Sequence, residues 1–392
     1  MIVAIPKETY PGERRVAMIP AAAPKLTKAG LTVRIESGAG VAAGFPDDEY
    51  QAAGVEIVAD RSALFAAADV VLQVRTLGAN PQAGQADVPL LRKGQILVGL
   101  GEPMTAGTAN QALAESGVTL FCLELLPRIT RAQVMDVLSS QATIAGYKAV
   151  LLAAEALPRM FPMMITAAGT LTAAHVLVIG AGVAGLQAIS TARRLGAIVE
   201  AYDIRPSARE QVQSVGAKFV ELPLATAGTE TTGGYAKAQS EEFLRQQREL
   251  MGQVVARNDV VICTAAVPGR RAPILVTAEM VRKMRPSSVI VDLVADRGGN
   301  CELTRPDETV VENGVTILGT TNLASLVPAH ASQMYARNIS AFLLGLLDKQ
   351  GQLKIDTEDE IIRATMVCRD GAVVLQTAQP TAPAQPPVPA PA

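Results

Sequence analysis

One stretch, residues 176–205, constrains the fold of this chain more than any other. Val176–Ile179 has the composition of a buried strand, and the turn Gly180-Ala181-Gly182-Val183-Ala184-Gly185 follows it directly. An apolar run with helical spacing comes next, stops before Gly196, and leads into a second strand that closes on Asp203. A strand, a Gly-x-Gly-x-x-Gly turn, a helix and a terminal acid in this order are typical of a dinucleotide-binding βαβ unit.

Each component of this motif has a physical reason. Gly180 permits the tight turn, Gly182 lets backbone N–H groups approach a pyrophosphate, and Gly185 lets the helix and the strand pack closely. The helix N-terminus favours the phosphate charge. Asp203 would accept hydrogen bonds from a ribose 2′-OH, whereas Arg205, two residues later, could instead face a 2′-phosphate. We favour NAD because the acid comes first; a purely structural glycine-rich turn is the alternative reading.

Length and composition limit the number of domains and the kinds of partner and site that the chain can have. A chain of 392 residues suggests two or three domains. A net charge of −2 and the absence of Trp give no sign of a nucleic-acid partner or an anionic membrane surface. The four cysteines are far apart in the sequence, which indicates reduced, mostly buried thiols. With only two histidines, His175 and His330, no metal site is expected.

Residues 160–192 carry no Asp, Glu, Lys or Arg and are long enough to suggest a membrane span. This stretch, however, contains Pro162, several glycines and the strand–turn–helix unit, so a buried parallel strand with its phosphate turn explains it better. The N-terminus leads directly into a strand pattern rather than a signal peptide. We therefore expect a cytoplasmic chain with no transmembrane helix of its own.

The chain as a whole predicts an α/β fold. Six short apolar strands alternate with helices in residues 1–122, which implies a parallel sheet covered on both faces, and a polar loop is expected over residues 78–89. A helix over 139–157, with Ile144, Tyr147, Val150, Leu151 and Ala154 on one face, would act as a hinge or strut between domains. Residues 332–347 form a second crossing helix, and the Pro-rich residues 378–392 a disordered tail.

Four further segments carry candidate chemistry. The charged residues 7–17 follow the first strand, where open α/β sheets bind ligands, although a solvated loop is an equal alternative. Residues 127–140 should lie at the mouth of the cleft between domains, and offer Arg128, Gln133, Asp136 and Ser139; Asp136 and Ser139 could also merely cap the strut helix. Residues 226–237, around Tyr235, form a candidate lid. Gly298-Gly299 suggest either close backbone approach to a nicotinamide or a tight turn.

The chain offers no evident base for proton transfer. Hydroxy-acid and amino-acid dehydrogenases move a proton as well as a hydride and need a His, Lys or similar group. His175 is expected at the buried entry to the first Rossmann strand as a packed side chain, and His330 begins the crossing helix. Direct hydride passage between two nicotinamides needs positioning and exclusion of water rather than a base, which is what this chain supplies.

Several stretches together resemble a known family over nearly the whole length. They are Ile5-Pro6-Lys7-Glu8 with Glu13-Arg14-Arg15-Val16-Ala17, Glu36-Ser37-Gly38-Ala39-Gly40, Pro127-Arg128-Ile129-Thr130-Arg131-Ala132-Gln133, Ala145-Gly146-Tyr147, the glycine turn, Gly233-Gly234-Tyr235-Ala236-Lys237, Pro268-Gly269 and Gly298-Gly299-Asn300-Cys301. In these stretches the chain resembles the NAD(H)-binding component, domain I, of proton-translocating NAD(P) transhydrogenase, which is related to alanine dehydrogenase.

The resemblance implies two doubly wound parallel-sheet domains, the second a Rossmann NAD(H)-binding domain inserted in a discontinuous first domain. The expected boundaries are 1–138 with 327–377 for the first domain, 139–326 for the second and 378–392 for the tail. It also implies a homodimer, with membrane-spanning and NADP(H)-binding subunits as partners that hold the chain at the cytoplasmic face of the inner membrane.

For the site, the resemblance implies that Gln133 positions the nicotinamides while Arg128, Asp136 and Ser139 hold NADH, and that Tyr235 belongs to a mobile loop. Arg128, Gln133, Asp136 and Tyr235 are the expected catalytic group. The nucleotide contacts would be those four with Ser139, Gly180, Gly182, Val183, Gly185, Asp203, Ile204, Arg205, Gly234 and Ala266. The hydride would pass from NADH to NADP⁺ on another chain.

The chain departs from the family pattern at two places. Asp296-Arg297 stands where a less charged pair is expected, and His330 has no counterpart. Residues 97–101 occupy the strand end where alanine dehydrogenases carry their active-site histidine, although Arg15 is retained. An NAD-dependent alanine dehydrogenase and a non-enzymatic NAD-sensing subunit are the rival hypotheses.

Overall fold

The computed structural model describes residues 1–223, 240–267, 271–348 and 350–375. Its N-terminal portion alternates strands with short helices, as the apolar runs separated by Gly and Pro predict. The strands are β1 Ile2–Ile5, β2 Thr32–Glu36, β3 Glu56–Val58, β4 Val70–Arg75, β5 Ile96–Leu100 and β6 Thr119–Cys122. The helices are α1 Ala23–Lys28, α2 Asp47–Ala52, α3 Arg61–Ala67 and α4 Gly107–Glu115.

A long helix then leads into a second set of strands. The helices are α5 Val137–Ala156, α6 Val183–Arg194, α7 Ala208–Ser214, α8 Glu241–Ala256 and α9 Ala278–Lys283. The strands are β7 Met164–Thr166, β8 Gly169–Leu171, β9 His175–Ile179, β10 Ile198–Tyr202, β11 Lys218–Phe219, β12 Val260–Cys263, β13 Val289–Asp292, β14 Thr309–Glu312 and β15 Val315–Leu318. The chain then crosses back through α10 Pro328–Gly345 and α11 Glu360–Thr365 to β16 Met366–Arg369 and β17 Ala372–Val373.

The described strands form two large sheets. The first has the order β17-β16-β6-β5-β4-β1-β2-β3, and the second β11-β10-β9-β12-β13-β15-β14. Pairing is parallel from β3 through β6 in the first sheet and from β11 through β15 in the second, and only the strands at one edge run antiparallel. The predicted fold class, two mostly parallel α/β sheets, is confirmed.

The order of the strands fixes where ligands can bind. In a doubly wound sheet, ligands bind beyond the carboxyl ends of the strands where the winding reverses direction. The winding reverses between β1 and β4 in the first sheet and between β9 and β12 in the second. Strands β16 and β17 join the first sheet after the chain has completed the second. The exact domain boundaries stay a prediction.

The helix α10 packs as the sequence predicted. Tyr335, Ile339, Phe342 and Leu343 are fully buried in the core of the first sheet. The Phe342 ring meets Phe121 of β6 edge-on, with centroids 5.4 Å apart, which is a favoured arrangement for aromatic pairs. This helix therefore fixes the returning segment onto the first sheet.

The predicted apolar face of α5 is only partly correct. Val150 is buried as predicted, but Tyr147, assigned to the same face, is 39% exposed, whereas Gly146, Ala149 and Ala153 are buried. The physical reason is the close approach of α5 to α6: a Cβ on Gly146 would lie 2.1 Å from the carbonyl oxygen of Ala184. Small residues make this contact, so the larger side chains lie elsewhere on the helix.

Small residues also make the inner face of helix α6. Its buried positions include Gly185, Ala188, Ile189 and Ala192, whereas Val183 is 39% exposed. A Cβ on Gly185 would come within 1.9 Å of the Gly180 carbonyl oxygen. The third glycine of the turn is thus required by helix–strand packing, as predicted.

Two smaller expectations were also wrong. The polar loop over residues 78–89 is mostly 3₁₀-helical, in the segments Leu77–Ala79 and Ala83–Leu90. His175 is exposed rather than buried, because it lies at the edge of β9 where the strand enters the sheet. Two further predictions, the lid over residues 226–237 and the Pro-rich tail, lie outside the described residues.

One helix of the described chain, α5, is long and apolar enough to cross a membrane by length and composition alone. Core helices of soluble proteins pass the same test, and 33% of its most apolar window is buried. It contacts α6 on one side and α10 on the other. This helix is therefore weak evidence for a span.

The contact between α5 and α6 predicts the cost of a single methyl group. Gly146→Ala should lower the stability by about 1–3 kcal/mol, because the new Cβ meets backbone rather than a movable side chain. Denaturant unfolding followed by circular dichroism measures the shift. Gly107→Ala at the start of α4, where no atom lies within 4 Å of the new Cβ, is the matched control. Equal midpoints for the two variants would contradict the close approach.

Candidate active site

The glycine turn after β9 has the geometry of a phosphate cradle. Gly180 adopts a φ of +95°, a conformation that other residues rarely take. Helix α6 begins at Val183, and no side chain caps its N-terminus in the described structure. The space around Gly182 is open, with no atom within 4 Å of an added Cβ. The first N–H groups of α6 are therefore available to an anion.

Asp203 lies beside this turn, directly after β10, and is only 8% exposed. Its carboxylate accepts a hydrogen bond from the backbone N–H of Ala181 at 2.7 Å. It also accepts three from Arg205: from the backbone N–H at 2.8 Å, from Nε at 2.9 Å and from Nη2 at 2.8 Å. The Asp203 carboxylate thus holds the glycine turn in place and also pairs with Arg205. Ile204, between the two, is half-buried.

The neighbouring strand β12 closes the other side of the turn. The hydroxyl of Thr264 donates to the carbonyl of Gly180 at 2.8 Å. Ala265 donates its N–H to the Asn300 side chain at 2.9 Å, which joins this strand end to the end of β13. Ala266 follows and is exposed. The predicted residues after β9, β10 and β12 therefore meet where the winding of the second sheet reverses.

The double glycine after β13 forms a tight turn, one of its two predicted readings. Gly298 and Gly299 have φ values of +93° and +73°. The Asp292 carboxylate holds the turn, because it accepts from the N–H groups of Asn300 and Cys301 at 2.7 and 2.9 Å. A buried carboxylate of the protein therefore holds this turn. The side chain of Arg297, which precedes the double glycine, faces the first domain.

Asp136 caps α5, as one of the two readings of this segment proposed. Its carboxylate accepts from the Ser139 N–H at 2.9 Å and from the Ser139 hydroxyl at 2.5 Å. Gln133 and Arg128 lie just upstream on the surface, and both are exposed. Capping leaves the other lone pairs of the carboxylate accessible, so it is compatible with a binding role.

The glycine turn and the Asp136 segment are connected by the same helix, α5. Gly146 of α5 contacts the start of α6, and ten residues of helix separate it from Asp136, about 15 Å at 1.5 Å per residue. Gly234, Tyr235, Pro268 and Gly269 all lie outside the described residues. The helix therefore fixes the distance between the two groups that the structure does describe.

Two of the charged residues after β1 are buried, so the solvated-loop reading is wrong for them. Glu13 has no exposed side-chain surface, and Arg15 is 4% exposed. Arg15 donates to Glu13 through Nε and Nη2, both at 2.7 Å. From the end of β4, Arg75 donates to the same carboxylate at 3.0 Å. These three residues, the Glu13 cluster, fill the point where the winding of the first sheet reverses.

The Glu13 cluster also reaches both segments that connect the two sheets. Arg15 donates to Gln141 of α5 at 2.9 Å and to Asn322, after β15, at 3.0 Å. Asn322 donates in turn to Glu13 at 3.1 Å. Burial alone would raise the pKa of Glu13, but the guanidiniums of Arg15 and Arg75 hold that pKa well below its usual range. Glu13 is therefore an anion.

Two other carboxyls near the cleft have raised pKa values. Burial and the Glu13 charge raise the pKa of Glu8, in the charged segment after β1, to about 8, although Glu8 accepts from the N–H groups of Val74 and Arg75. Burial likewise raises the pKa of Glu124 to about 7. Glu124 was not singled out from the sequence, because it stands in no pattern of spacing and only the folded structure reveals it.

The Glu13 cluster predicts a large stability effect. Glu13→Gln should lower the stability by about 3–5 kcal/mol at neutral pH, since it leaves Arg15 and Arg75 without their anion in a buried site. Because the folded pKa lies below the ordinary value of 4.5, the stabilisation is present above that pH and is lost as the pH falls. Unfolding in urea at several pH values measures it.

The control for this variant is Glu56→Gln, which removes a pair with Arg34 at the surface, where Glu56 is 54% exposed. Exposed pairs contribute about 0–1 kcal/mol. A Glu13 variant as stable as this control would show that the cluster carries no net stabilisation.

Comparisons with known proteins agree over the whole chain. Residues 4–145 match the family described as "Alanine dehydrogenase/PNT, N-terminal domain", and residues 149–376 match "Alanine dehydrogenase/PNT, C-terminal domain". An NAD(P) transhydrogenase alpha subunit polypeptide from Rhodospirillum rubrum is 46% identical over 376 residues, which cover 95% of this chain and 98% of that protein.

Solved structures show the same relationship. A transhydrogenase from Sinorhizobium meliloti has a TM-score of 0.84 at 44% identity and covers 95% of this chain and 100% of its own. An L-alanine dehydrogenase has a TM-score of 0.79 at 26% identity over 96% of this chain and 97% of its own. The chain belongs to the alanine dehydrogenase/PNT family and, within it, lies closer to the transhydrogenase alpha subunits than to alanine dehydrogenase.

Proposed function

We propose that this chain is the NAD(H)-binding component of a proton-translocating transhydrogenase. It would pass hydride from NADH to NADP⁺ held on a partner subunit, at the cytoplasmic face of a membrane to which its partners attach it. The family relationship makes the chain a transhydrogenase component and an oxidoreductase with a nicotinamide nucleotide site. The observation that carries the finer proposal is the open glycine turn with Asp203 beside it in the second domain, together with an Arg15 in the first domain that is already paired with Glu13.

The cradle fits a dinucleotide through groups of this chain alone. The open N–H groups at the start of α6 would bind the pyrophosphate. Asp203 would take the ribose hydroxyls, and its negative charge would repel a 2′-phosphate at the same place. Arg205 is engaged by that carboxylate, so we infer a preference for NAD over NADP. Val183, Ile204 and Ala266 would line the same groove.

The cleft face would position the reacting ring. Gln133 and Arg128 are exposed side chains with donors, and Asp136 with Ser139 is fixed at the start of α5. The bound nucleotide supplies the hydride, and these residues would hold its ring in the geometry for transfer and exclude water. Tyr235, on the predicted lid, would complete the enclosure.

The contacts of the Glu13 cluster argue against the rival hypothesis that the chain is an alanine dehydrogenase. An enzyme that oxidises an amino acid must bind a substrate carboxylate, and Arg15 is the retained residue that would do so. In this structure its guanidinium is engaged by Glu13, Gln141 and Asn322. His175 and His330 are both exposed, at the entry to β9 and the start of α10. Arg15 is thus already paired with a carboxylate of the protein itself.

The first test is hydride transfer itself. Mixed with its NADP(H)-binding partner subunits, the chain should reduce an NADP analogue with NADH and much more slowly with NADPH as the donor. Gln133→Asn should slow transfer about 10- to 100-fold with little change in the Kd for NADH, since a shift of about 1 Å costs orientation rather than binding. Stopped-flow absorbance measures transfer, and the fluorescence of NADH measures binding.

Gln51→Asn is the control and should leave both values unchanged. It is a change of the same kind at an exposed amide in the last turn of α2, which leads into the amino end of β3 and so lies away from the carboxyl ends of the strands. Reduction of NAD by alanine would support the rival dehydrogenase. NADH binding without any transfer in the complete complex would support a sensor instead.

The proposed homodimer has a candidate contact in the hairpin β7–β8. All six residues of its strands are exposed, including Ile165 at 77% and Leu171 at 49%. A two-stranded hairpin is marginally stable by itself in water, and an exposed apolar patch marks an interaction surface. We infer that a second copy of this chain covers the hairpin.

Ile165→Asp should therefore shift the protein from dimer to monomer, because it places a charge in the covered apolar surface. Sedimentation velocity at micromolar concentration measures the assembly state. Val311→Asp changes an equally exposed apolar residue, 65% exposed, on the outer strand β14 and should leave the dimer intact. A wild-type monomer, or a dimer that tolerates Ile165→Asp, would remove this interface.

A further inference from the structure

Asp296-Arg297, the charged pair that departs from the family pattern, faces the first domain across the cleft. The two residues lie in the 3₁₀ turn Ala295–Arg297 that follows β13. Nη2 of Arg297 lies 3.3 Å from Oε1 of Glu102, which follows β5 of the first sheet. This ion pair joins the carboxyl ends of a strand from each sheet.

Glu102 is held in an unusual backbone conformation. Its φ is +46°, in the left-handed region that a residue with a Cβ seldom occupies. The turn is enclosed, because a Cβ on Gly101 would lie 2.6 Å from the Cys122 sulfur and 2.9 Å from the Thr76 hydroxyl. Such conformations persist only where the surroundings impose them, and they cluster at functional sites.

Glu124 imposes this conformation. Its Oε1 accepts hydrogen bonds from the N–H groups of both Gly101 and Glu102, at 2.7 and 2.6 Å. Its Oε2 is buried and has no hydrogen-bond partner among the described residues. A carboxyl with one unpartnered buried oxygen is costly to keep. The turn it holds directs the Glu102 side chain to Arg297.

The other charges near the pair are complementary. Burial and the Glu102 charge raise the pKa of Asp296, whereas Arg297 and Arg75 of the first domain lower it. Each domain therefore contributes one cation and one anion, with Arg75 and Glu102 on one side and Asp296 and Arg297 on the other. Arg75 is itself fixed by Glu13, so the first-domain side of this surface is rigid.

We propose that Glu102 and Arg297 form a latch that holds the cleft closed over the bound nucleotide, and that Glu124 is the positioning residue that presents Glu102 to it. The inference rests on the proposed function, because the latch acts on the nucleotide that the cleft would bind. The pair is 50% and 35% exposed, so it is weak and screened by salt. A latch of this strength can open at each turnover.

The test is a charge swap. Arg297→Glu and Glu102→Arg should each weaken NADH binding about two- to fivefold at low salt, the range expected for one exposed pair. The double variant should restore the wild-type Kd, because the two charges are exchanged and the pair re-forms. The chain contains no Trp, so NADH fluorescence can be read with little background. Raising the salt concentration should weaken wild-type binding and strengthen binding by the single variants, because salt screens the attraction in the wild type and the like-charge repulsion in the variants.

The matched control is Arg282→Glu, which breaks a pair with Glu312 at 2.7 Å inside the second domain. It should leave the Kd for NADH as in the wild type. If the double variant binds NADH no better than the single variants, or if Arg282→Glu has the same effect, the latch is refuted.

Glu124 has its own pair of variants. Glu124→Gln keeps an oxygen that accepts from both N–H groups and should bind NADH as the wild type does, whereas Glu124→Ala should match Glu102→Ala. Adding Glu102→Ala to Glu124→Ala should then have no further effect on the Kd. Additive effects would remove the positioning role.

The outcomes also separate this inference from the proposed function. A wild-type chain that does not bind NADH at all overturns both. A chain that binds NADH with the predicted charge-swap pattern but passes no hydride in the complete complex overturns the proposed function and leaves the latch in place.

Discussion

The architecture depends on one buried anion, the Glu13 carboxylate. It neutralises Arg15 from its own loop and Arg75 from the neighbouring strand end. Through Arg15 and Asn322 it also ties the first sheet to the segments that lead into and out of the second. A buried charge without its partners costs several kcal/mol, so the ions must stay together. The relative placement of the two sheets at the hinge follows from that requirement.

The two sheets differ at the points where their winding reverses. Each sheet has a reversal of winding where a ligand could bind, and in the first sheet the buried ion pairs of Glu13 with Arg15 and Arg75 lie there. The second sheet keeps its place open, with the uncapped start of α6 and the braced Asp203. One nucleotide with no second small substrate is what a hydride donor needs when its acceptor arrives on another protein. The salt-sensitive pair of Glu102 and Arg297 would then govern how long the cleft stays closed.

Sequence reasoning succeeded where local chemistry decides the structure. The strand, glycine turn, helix and acid of residues 176–203 were predicted with nearly correct bounds. Each element has its own hydrophobic periodicity and its own residues that begin and end it. It failed in part at the inner face of α5, where the approach of Gly146 to Ala184 selects small residues rather than large apolar ones. It also left the loop after β1 undecided, since solvated and buried charges look alike in a sequence.

The sequence by itself determined the order of the elements, the two parallel sheets, the dinucleotide turn and the family. These depend on short-range patterns of apolar residues, glycines and acids that can be recognised in the sequence. Only the tertiary structure decided that the buried Glu13 pairs with Arg15 and Arg75, that Asp203 engages Arg205, and that Arg297 meets Glu102. Glu13 with Arg75 and Asn322, and Glu102 with Arg297, are contacts between residues far apart in the sequence, and their geometry exists only once both sheets have formed.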